Sequence, residues 1–180
     1  MKKSDQTRAR IVAAAARLIA RKGPFKTKTA DLASEAGLSE GAIFRYFPTK
    51  AHVFEAVIHR FLGQFSSELQ GVLAADSGLS ERELLARIID FHFAFFSGEE
   101  NLAPIVLGLT EQEGLDSRIL TLIRDGLLPY VTRIAHLIGC GIKKGVFRRG
   151  DPDLMATALL GLMQARSEEH TSELQSRHNL

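Results

Sequence analysis

The chain has 180 residues, of which 45% are hydrophobic and 24% are charged, and this composition excludes a disordered or fibrous protein. It contains no run of about 18 apolar residues and no signal-peptide pattern at its start, so no membrane span is expected. The single cysteine, Cys140, excludes an internal disulfide and a cysteine-based zinc site, and it favours a reducing cytoplasm.

Positive charge is concentrated in the first third of the chain. Residues 1–60 carry 12 Lys and Arg against 5 Asp and Glu, whereas residues 61–165 carry 9 against 13. A basic segment of this kind is typical of a surface that meets nucleic acid. The alternative is a basic face that is simply solvated, and charge alone leaves both interpretations open.

The first 70 residues predict four helices separated by short turns. Apolar residues recur at helical spacing from Ile11 to Ile19, and Gly23 with Pro24 interrupts this pattern. Ser39 is a preferred N-cap residue for a helix that follows it. The predicted helices run from the N-terminus to Gly23, over 29–36, over 40–46, and from Pro48 to beyond Leu69.

The remaining residues continue the helical pattern, without strand-like alternation or repeats. Residues 71–81 are a plausible linker, and 153–165 are apolar nearly all round, so we expect that segment to be buried. Further helices are predicted over 81–97, 99–112, 116–144 and 152–165. The sequence therefore predicts an all-α fold.

A helix-turn-helix is predicted over about 28–47, because two short helices are joined there by a turn that contains glycine. The second helix of such a motif lies in the major groove of DNA. Ile43 and Phe47 are four residues apart and are expected to pack inward. Residues expected to face DNA bases or phosphates are Ser39, Gly41, Ala42, Phe44, Arg45, Tyr46 and Lys50. The alternative is that the aromatic run is entirely core.

The segment TKTADLASEAGLSEGAIFRYFPTKAHVFEAV, residues 27–57, resembles the DNA-binding domain of the tetracycline-repressor (TetR) family. The resemblance covers about residues 5–64, and the helical remainder, 68–165, resembles the family's ligand-sensing and dimerising domain in layout. It implies a homodimeric, cytoplasmic regulator, usually a repressor, that a small molecule releases from a palindromic operator in double-stranded DNA. The DNA contacts that it implies are Thr29, Ala30, Glu40, Gly41, Ala42, Phe44, Tyr46 and Lys50.

Three positions depart from the family pattern. Phe44 replaces a tyrosine and so lacks a hydroxyl for a phosphate, and Glu40 stands where lysine is common. A carboxylate near phosphates is unfavourable unless it accepts a hydrogen bond from a cytosine amine. Lys28 replaces a capping threonine, so Thr27 or Thr29 is expected to cap the second helix.

The helix over 83–96 is rich in aromatic residues and carries one histidine on its apolar stripe. An apolar wall with one polar group is typical of a small-molecule pocket, and it is also typical of an ordinary core. For a largely apolar effector, the candidate contacts are Phe91, His92, Phe95, Leu107, Thr110 and Tyr130.

Catalysis has no support in the sequence, and neither a cofactor nor a metal is expected, since phosphate-loop, nucleophile-elbow and metal-ligand spacings are missing. Cys140 lies between two glycines, and we expect packing rather than redox sensing. The alternative function is an all-helical enzyme or small-molecule-binding protein whose basic N-terminal face is incidental.

The last fifteen residues, RSEEHTSELQSRHNL, break the helical period at Arg166. The first eleven of them match an in-frame translation of a common sequencing-library adapter. We therefore expect residues 166–180 to be artefactual and the native C-terminus beyond about residue 165 to be missing, which leaves the C-terminal domain truncated.

Overall fold

The computed structural model describes residues 3–74, 78–96 and 117–178. Regular secondary structure within these ranges is helical, which confirms the all-α prediction. None of the helices in these ranges is long and apolar enough to cross a membrane. The helix predicted over 99–112 lies outside the described residues.

Seven helices lie within the described ranges. They are α1 (Lys3–Lys26), α2 (Thr29–Ala36), α3 (Glu40–Tyr46), α4 (Lys50–Ala74), α5 (Glu81–Phe96), α6 (Ser117–Lys143) and α7 (Pro152–His178). The described residues divide into two compact units, the first being 3–63 with 117–123 and the second 64–96 with 124–178. Helices α4 and α6 therefore contribute to both units.

Helix α1 provides the core of the first unit. The predicted stripe from Ile11 to Ile19 is buried. Gly23 adopts φ 78° and ψ 163°, which kinks the helix where the sequence predicts its end. A positive φ suits glycine because it has no Cβ. The chain then makes one more turn, to Lys26, before α2 begins.

The turn between α2 and α3 closes as predicted. Gly37 has φ 62° and ψ 45°, and its backbone N–H donates to the carbonyl of Ser34 at 3.1 Å. The hydroxyl of Ser39 accepts a hydrogen bond from the backbone N–H of Ala42 at 3.2 Å, so Ser39 is the N-cap of α3. Both bonds satisfy backbone groups that the helix ends would otherwise leave without partners.

The expected cap of α2 is wrong. Thr27 is buried, and its hydroxyl donates to the carbonyl of Gly23 at 2.8 Å, back toward α1. Thr29 is the first helical residue, and Lys28 is the N-cap. The Asp31 carboxylate accepts from the backbone N–H of Lys28 at 3.0 Å. A carboxylate three residues into the helix therefore stabilises this end, in place of a threonine hydroxyl before it.

Aromatic rings of the second unit cluster around the ring of Phe65, which lies in the part of α4 that belongs to this unit. Tyr130 from α6 meets that ring edge-on, with centroids 4.9 Å apart, and Phe95 does the same at 5.1 Å. Phe91 and Phe96 lie at 5.3 Å and 5.9 Å. Tilted and edge-to-face pairs at these separations are the favoured aromatic geometry. Helix α5 also packs against α7.

In the single chain, the last helix differs from its sequence-based prediction in two ways. Leu154 and Leu162 are 68% and 72% exposed, because α7 buries one side only, through Ala156 and Met163. The helix also continues to His178 instead of ending near residue 165. Its sequence contains neither proline nor glycine after Gly161, so no strong helix breaker stops it.

The linker predicted over 71–81 is shorter than expected. Helix α4 continues through Ala74, and α5 begins at Glu81. The Glu83 carboxylate accepts hydrogen bonds from the hydroxyl and the backbone N–H of Ser80, which closes the N-terminus of α5. The preceding glutamate, Glu81, is buried and pairs with Lys144, beyond the end of α6.

Candidate functional site

Helix α3 divides its side chains between the core and the surface. Ile43 and Phe47 are each 1% exposed, as their spacing predicts. Phe44 is 46% exposed, Arg45 is exposed and Tyr46 is half-buried. The aromatic run is therefore only partly core, and its outward half presents two rings and a guanidinium on one short helix.

The residues that the sequence nominates for DNA contact share one property in the structure. None of them is buried. They lie at the start of α2, in the turn before α3, along α3 and at the start of α4, and they are Thr29, Ala30, Ser39, Glu40, Gly41, Ala42, Phe44, Arg45, Tyr46 and Lys50. The fold thus leaves this whole set available on the first unit.

Gly41 is a glycine that the fold itself does not require. Its φ lies outside the left-handed region, and a Cβ built at this position would meet nothing within 4 Å. Glycine in a helix destabilises it by about 0.5–1 kcal/mol relative to alanine. The fold therefore leaves open space at this position, as it also does at the helical glycines Gly63, Gly71 and Gly161.

Helices α1 to α4 meet around a shallow hollow in the first unit. The hollow has a volume of about 10 Å³, which is too small for a ligand. It is lined by Lys28 and Thr29 at the start of α2, Phe44 on α3, and Thr49 and Lys50 at the start of α4. Helix N-termini carry partial positive charge, so α2 and α4 favour an anion beside this hollow.

Lys50 is held in place at the start of α4. Its Nζ lies 5.3 Å from the centroid of the Phe54 ring, within cation–π range. Partial burial lowers the pKa of Lys50 from its ordinary value. The hydroxyl of Thr49 accepts from the backbone N–H of His52 at 3.4 Å and contacts the His52 ring at Nδ1, 2.7 Å away. The ammonium of Lys50 therefore packs against the Phe54 ring, beside the capped N-terminus of α4.

Two arginines of α1 bind the C-termini of the motif helices. Arg10 donates from Nη2 to the carbonyl of Ala36, at the end of α2, at 2.8 Å. Arg8 donates to the carbonyl of Tyr46, at the end of α3, at 3.4 Å, and its guanidinium lies 4.4 Å from the Phe47 ring centroid. Cations are favourable at helix C-termini because of the partial negative charge there.

Three further basic residues of α1 are paired with carboxylates of α2. Arg17 and Arg21 both bind Glu35, whereas Lys22 binds Asp31. Hydrogen bonds from Arg17 hold the pKa of Glu35 below its usual value, and Lys22 does the same for the pKa of Asp31. Much of the basic charge of α1 thus holds the motif together, a role that charge counting did not identify.

The second unit contains a cleft of about 530 Å³. Its described lining comes from α4 and α6 and consists of Phe65, Ser66, Leu69, Gln70, Leu73, Ala74, Gly126, Pro129, Tyr130 and Arg133. Of the residues that the sequence nominates for a ligand, Tyr130 lines this cleft. Phe91, His92 and Phe95 belong to the aromatic cluster around Phe65, and Leu107 and Thr110 lie outside the described residues.

Apart from Tyr130, the lining residues on α4 and α6 were missed by the sequence analysis, which placed three of its six candidates on α5. A signal was present: Arg133 follows Tyr130 by three residues, so both side chains emerge from neighbouring turns of one helix face. Phe65, Leu69 and Leu73 are likewise spaced by four along α4. The spacing of these α4 residues is that of ordinary core residues, and only the structure shows that they line a cleft.

His92 is 4% exposed and stacks on Phe96, with ring centroids 4.2 Å apart. Its Nδ1 lies 3.3 Å from the hydroxyl oxygen of Tyr130, and its Nε2 is buried without a hydrogen-bond partner. Burial lowers the pKa of His92 to about 4, so the ring is neutral at pH 7. Burial also raises the pKa of Tyr130.

Cys140 is half-buried, and its Sγ lies 3.8 Å from Nδ1 of His136, one turn earlier on α6. Over the ranges that the structure describes, no group of three or more His, Cys, Asp or Glu is arranged to hold a metal ion.

Comparison with known proteins connects the first unit to DNA-binding regulators. Residues 11–57 match the family of bacterial regulatory proteins described as the tetR family. The fatty acid metabolism regulator protein of Bacillus subtilis (strain 168) is 26% identical over 150 residues, which is 83% of this chain and 75% of that protein.

Two solved structures share the architecture. A protein from Saccharomonospora viridis, crystallised in complex with choline, is 28% identical, with a TM-score of 0.83 over 92% of this chain and 85% of that one. The transcriptional regulator FadR from Bacillus subtilis, in complex with stearoyl-CoA, is 23% identical, with a TM-score of 0.77 over 93% of this chain and 88% of that one.

Proposed function

Because this chain is a DNA-binding transcriptional regulator of the tetR family, we propose that it acts as a homodimeric repressor of a palindromic operator. The observation that carries the proposal is α3, which is capped by Ser39, anchored by Ile43 and Phe47, and exposed along Phe44 and Arg45. Such a helix inserts into the major groove and presents its outer face to base edges.

The contacts divide into phosphate and base contacts. Lys50 and the N-termini of α2 and α4 bind phosphates, while Arg45 and Tyr46 extend from α3 toward the DNA. Gly41 lets the backbone of α3 approach the bases. Glu40 accepts from a cytosine amine, a base-edge donor that suits a carboxylate. Together these contacts recognise the sequence of one operator half-site.

The second unit supplies the dimer. Leu154 and Leu162 of α7 and Leu128 of α6 are large apolar side chains that stay more than half exposed in the single chain. Exposed leucines on neighbouring helices are typical of a surface that a second copy covers. Two recognition helices then enter successive major grooves when they are about 34–36 Å apart.

A small molecule in the second unit releases the operator. Two proteins of similar structure were solved in complex with choline and with stearoyl-CoA, which supports a small-molecule site in this unit. A ligand lowers operator affinity only by its preference for the conformation that binds DNA poorly. Helix α4 contributes to both units, so it connects the cleft to the start of the DNA-binding surface.

The protein has no catalytic role in this proposal and works in the cytoplasm, where its DNA lies. The competing function is an all-helical small-molecule-binding protein or enzyme with an incidental basic face. The match of residues 11–57 to DNA-binding regulators and the exposed Phe44 and Arg45 of α3 favour DNA binding. The tail beyond residue 165 has no role in either function.

Substitutions at the DNA-facing surface test the proposal. Arg45→Ala and Lys50→Ala should each weaken operator binding by roughly tenfold, because each removes a charged contact. Lys50→Ala should also reduce the slope of log affinity against log salt concentration by about one, because one phosphate contact is lost. Fluorescence anisotropy with a labelled duplex, measured from low to physiological salt, gives both quantities.

The matched control is Arg124→Ala, which removes an exposed arginine of the second unit that pairs with its neighbour Asp125. Affinity that falls equally in all three variants would indicate non-specific charge attraction. No salt-dependent DNA binding in the unmodified chain would favour the carrier or enzyme function.

A further inference from the structure

The cleft of the second unit has an apolar floor and a polar rim. Phe65, Leu69 and Leu73 from α4 and Tyr130 from α6 contribute apolar surface. Its volume, about 530 Å³, falls within the range of about 300–1,000 Å³ that is usual for small-molecule sites. Exposed Ser66 and Gln70 add neutral hydrogen-bonding groups.

The charge at the cleft has one sign. Arg133 is the charged side chain among the described lining residues, and no aspartate or glutamate is among them. No carboxylate of the described residues pairs with the Arg133 guanidinium. By contrast Arg124, nine residues earlier on α6, pairs with Asp125. The cleft therefore holds a positive charge that an incoming ligand can neutralise.

Behind Tyr130, the described residues of the wall supply no negative charge. The phenol contacts His92, which is enclosed by aromatic rings and neutral at pH 7. The aromatic faces of Phe65 and Tyr130 are the groups that could attract a cation, but the two rings pack edge-to-face on each other. One ring face is thus used for internal packing, and the nearby guanidinium repels a cation.

We propose that this cleft binds a carboxylic acid with an apolar chain, whose carboxylate pairs with Arg133 and whose chain lies against Phe65, Leu69 and Tyr130. A guanidinium binds a carboxylate through two parallel hydrogen bonds, which fixes the head of the ligand at the rim. The apolar chain then gains free energy by leaving water. A quaternary ammonium such as choline is excluded by the same charge.

This inference rests on the proposed function in one respect, which is that the bound acid acts as the effector that releases the operator. Binding at the cleft is a property of the second unit and is measured on the full chain without DNA. Operator release is a separate measurement, so the two can fail independently.

The test compares two probes that have the same chain and opposite charge. Decanoate and decyltrimethylammonium, each below its micelle-forming concentration, are titrated into the full-length chain by isothermal titration calorimetry, with choline as a third probe. The proposal predicts saturable binding of decanoate, at least roughly tenfold tighter than that of decyltrimethylammonium, and no binding of choline. Equal or tighter binding of the ammonium probe, or no binding of decanoate, would overturn it.

Variants then assign the binding to the cleft. Arg133→Gln should weaken decanoate binding by roughly tenfold or more, and Arg133→Lys should retain part of it, since the charge stays but the paired geometry is lost. Arg124→Gln removes an exposed arginine from the same helix and should leave binding unchanged. Equal losses in Arg133→Gln and Arg124→Gln, or no loss in either, would refute the assignment of the carboxylate to Arg133.

A final titration separates the two proposals. Decanoate is added to the complex of the chain with its operator, and release is followed by anisotropy. Binding that depends on Arg133, without release, supports the cleft and contradicts the effector role. Release that persists in Arg133→Gln at the same concentration of decanoate contradicts the cleft and supports an effector site elsewhere.

Discussion

The two units use their polar groups in opposite ways. In the first unit Arg10 and Arg8 satisfy the ends of α2 and α3, and Glu35 receives two arginines. In the second unit a buried nitrogen of His92 has no partner, and Arg133 borders a cleft whose described lining contains no carboxylate. The first unit is internally satisfied, whereas the second has unfilled polar and apolar surface.

This difference matches the work that the proposed function assigns to each unit. A DNA reader must hold one short helix in a fixed orientation, so its supporting charges are used within the unit. A sensor and dimerisation unit must respond to other molecules, so groups are left for them to satisfy. The exposed Leu154 and Leu162 belong to the same pattern, since a second copy can bury them.

The largest expected effect comes from the exposed leucines. Leu154→Glu combined with Leu162→Glu should convert a dimer into a monomer, because burying two carboxylates at the interface is strongly unfavourable. Operator affinity should then fall by roughly a hundredfold or more, since the second half-site no longer binds on the same molecule. Light scattering after size-exclusion chromatography measures the mass.

Phe25→Glu is the matched control, because Phe25 is 63% exposed but lies in the first unit. It should leave the mass unchanged. A double leucine variant that still has the mass of a dimer would show that α7 does not form the interface.

Packing in the second unit predicts the next effect. A Cβ on Gly141 would lie 2.2 Å from the Phe147 ring, whereas one on Gly71 would meet nothing within 4 Å. Gly141→Ala should lower the free energy of unfolding by about 1–3 kcal/mol through overpacking. Gly71→Ala should raise it by about 0.5–1 kcal/mol, as is usual for an unhindered helical glycine.

Urea unfolding followed by circular dichroism compares the two variants. Equal effects of the two substitutions would show that Phe147 moves aside freely and that the turn after α6 is loosely packed.

A further effect is the pH dependence from His92. Its pKa falls from 6.5 in the unfolded chain to about 4 in the fold, so only the unfolded chain gains a proton between these values. The free energy of unfolding should therefore decrease as the pH falls from 6.5 to 4, by at most about 1.4 kcal/mol per pH unit. The pKa values of Glu35 and Glu81 are lowered from 4.5 in the fold. The stability that these two carboxylates contribute is therefore lost mainly as the pH falls below about 4.5.

His92→Phe should flatten the curve between pH 6.5 and 4, and His136→Gln, at an exposed histidine, should leave it unchanged. Urea midpoints measured across this range provide the comparison. A slope that survives in His92→Phe would assign the dependence to another group.

The sequence predicted the first unit well because its signals are local. Gly37, Ser39 and the spacing of Ile43 and Phe47 each depend on neighbours within a few residues. The ends of α2 and α3 are also held by Arg10 and Arg8, which lie up to 38 residues away and carry no pattern that marks such a contact.

The second unit was predicted less well because apolar spacing does not show what covers a helix. Leu154 and Leu162 have the pattern of buried residues, and they are exposed in the single chain. The cleft was missed for a related reason: Phe65 and Leu69 are spaced like core residues, and open space beside them has no signature in the sequence. A three-dimensional arrangement was needed to place Arg133 beside them.

Selection from a pool of random DNA duplexes tests the central claim most directly. The full chain is incubated with the pool at near-physiological salt, and bound fragments are sequenced over successive rounds. The account predicts enrichment of a palindrome whose half-sites are spaced for successive major grooves. Failure to enrich any sequence would contradict the claim that this chain is a sequence-specific regulator.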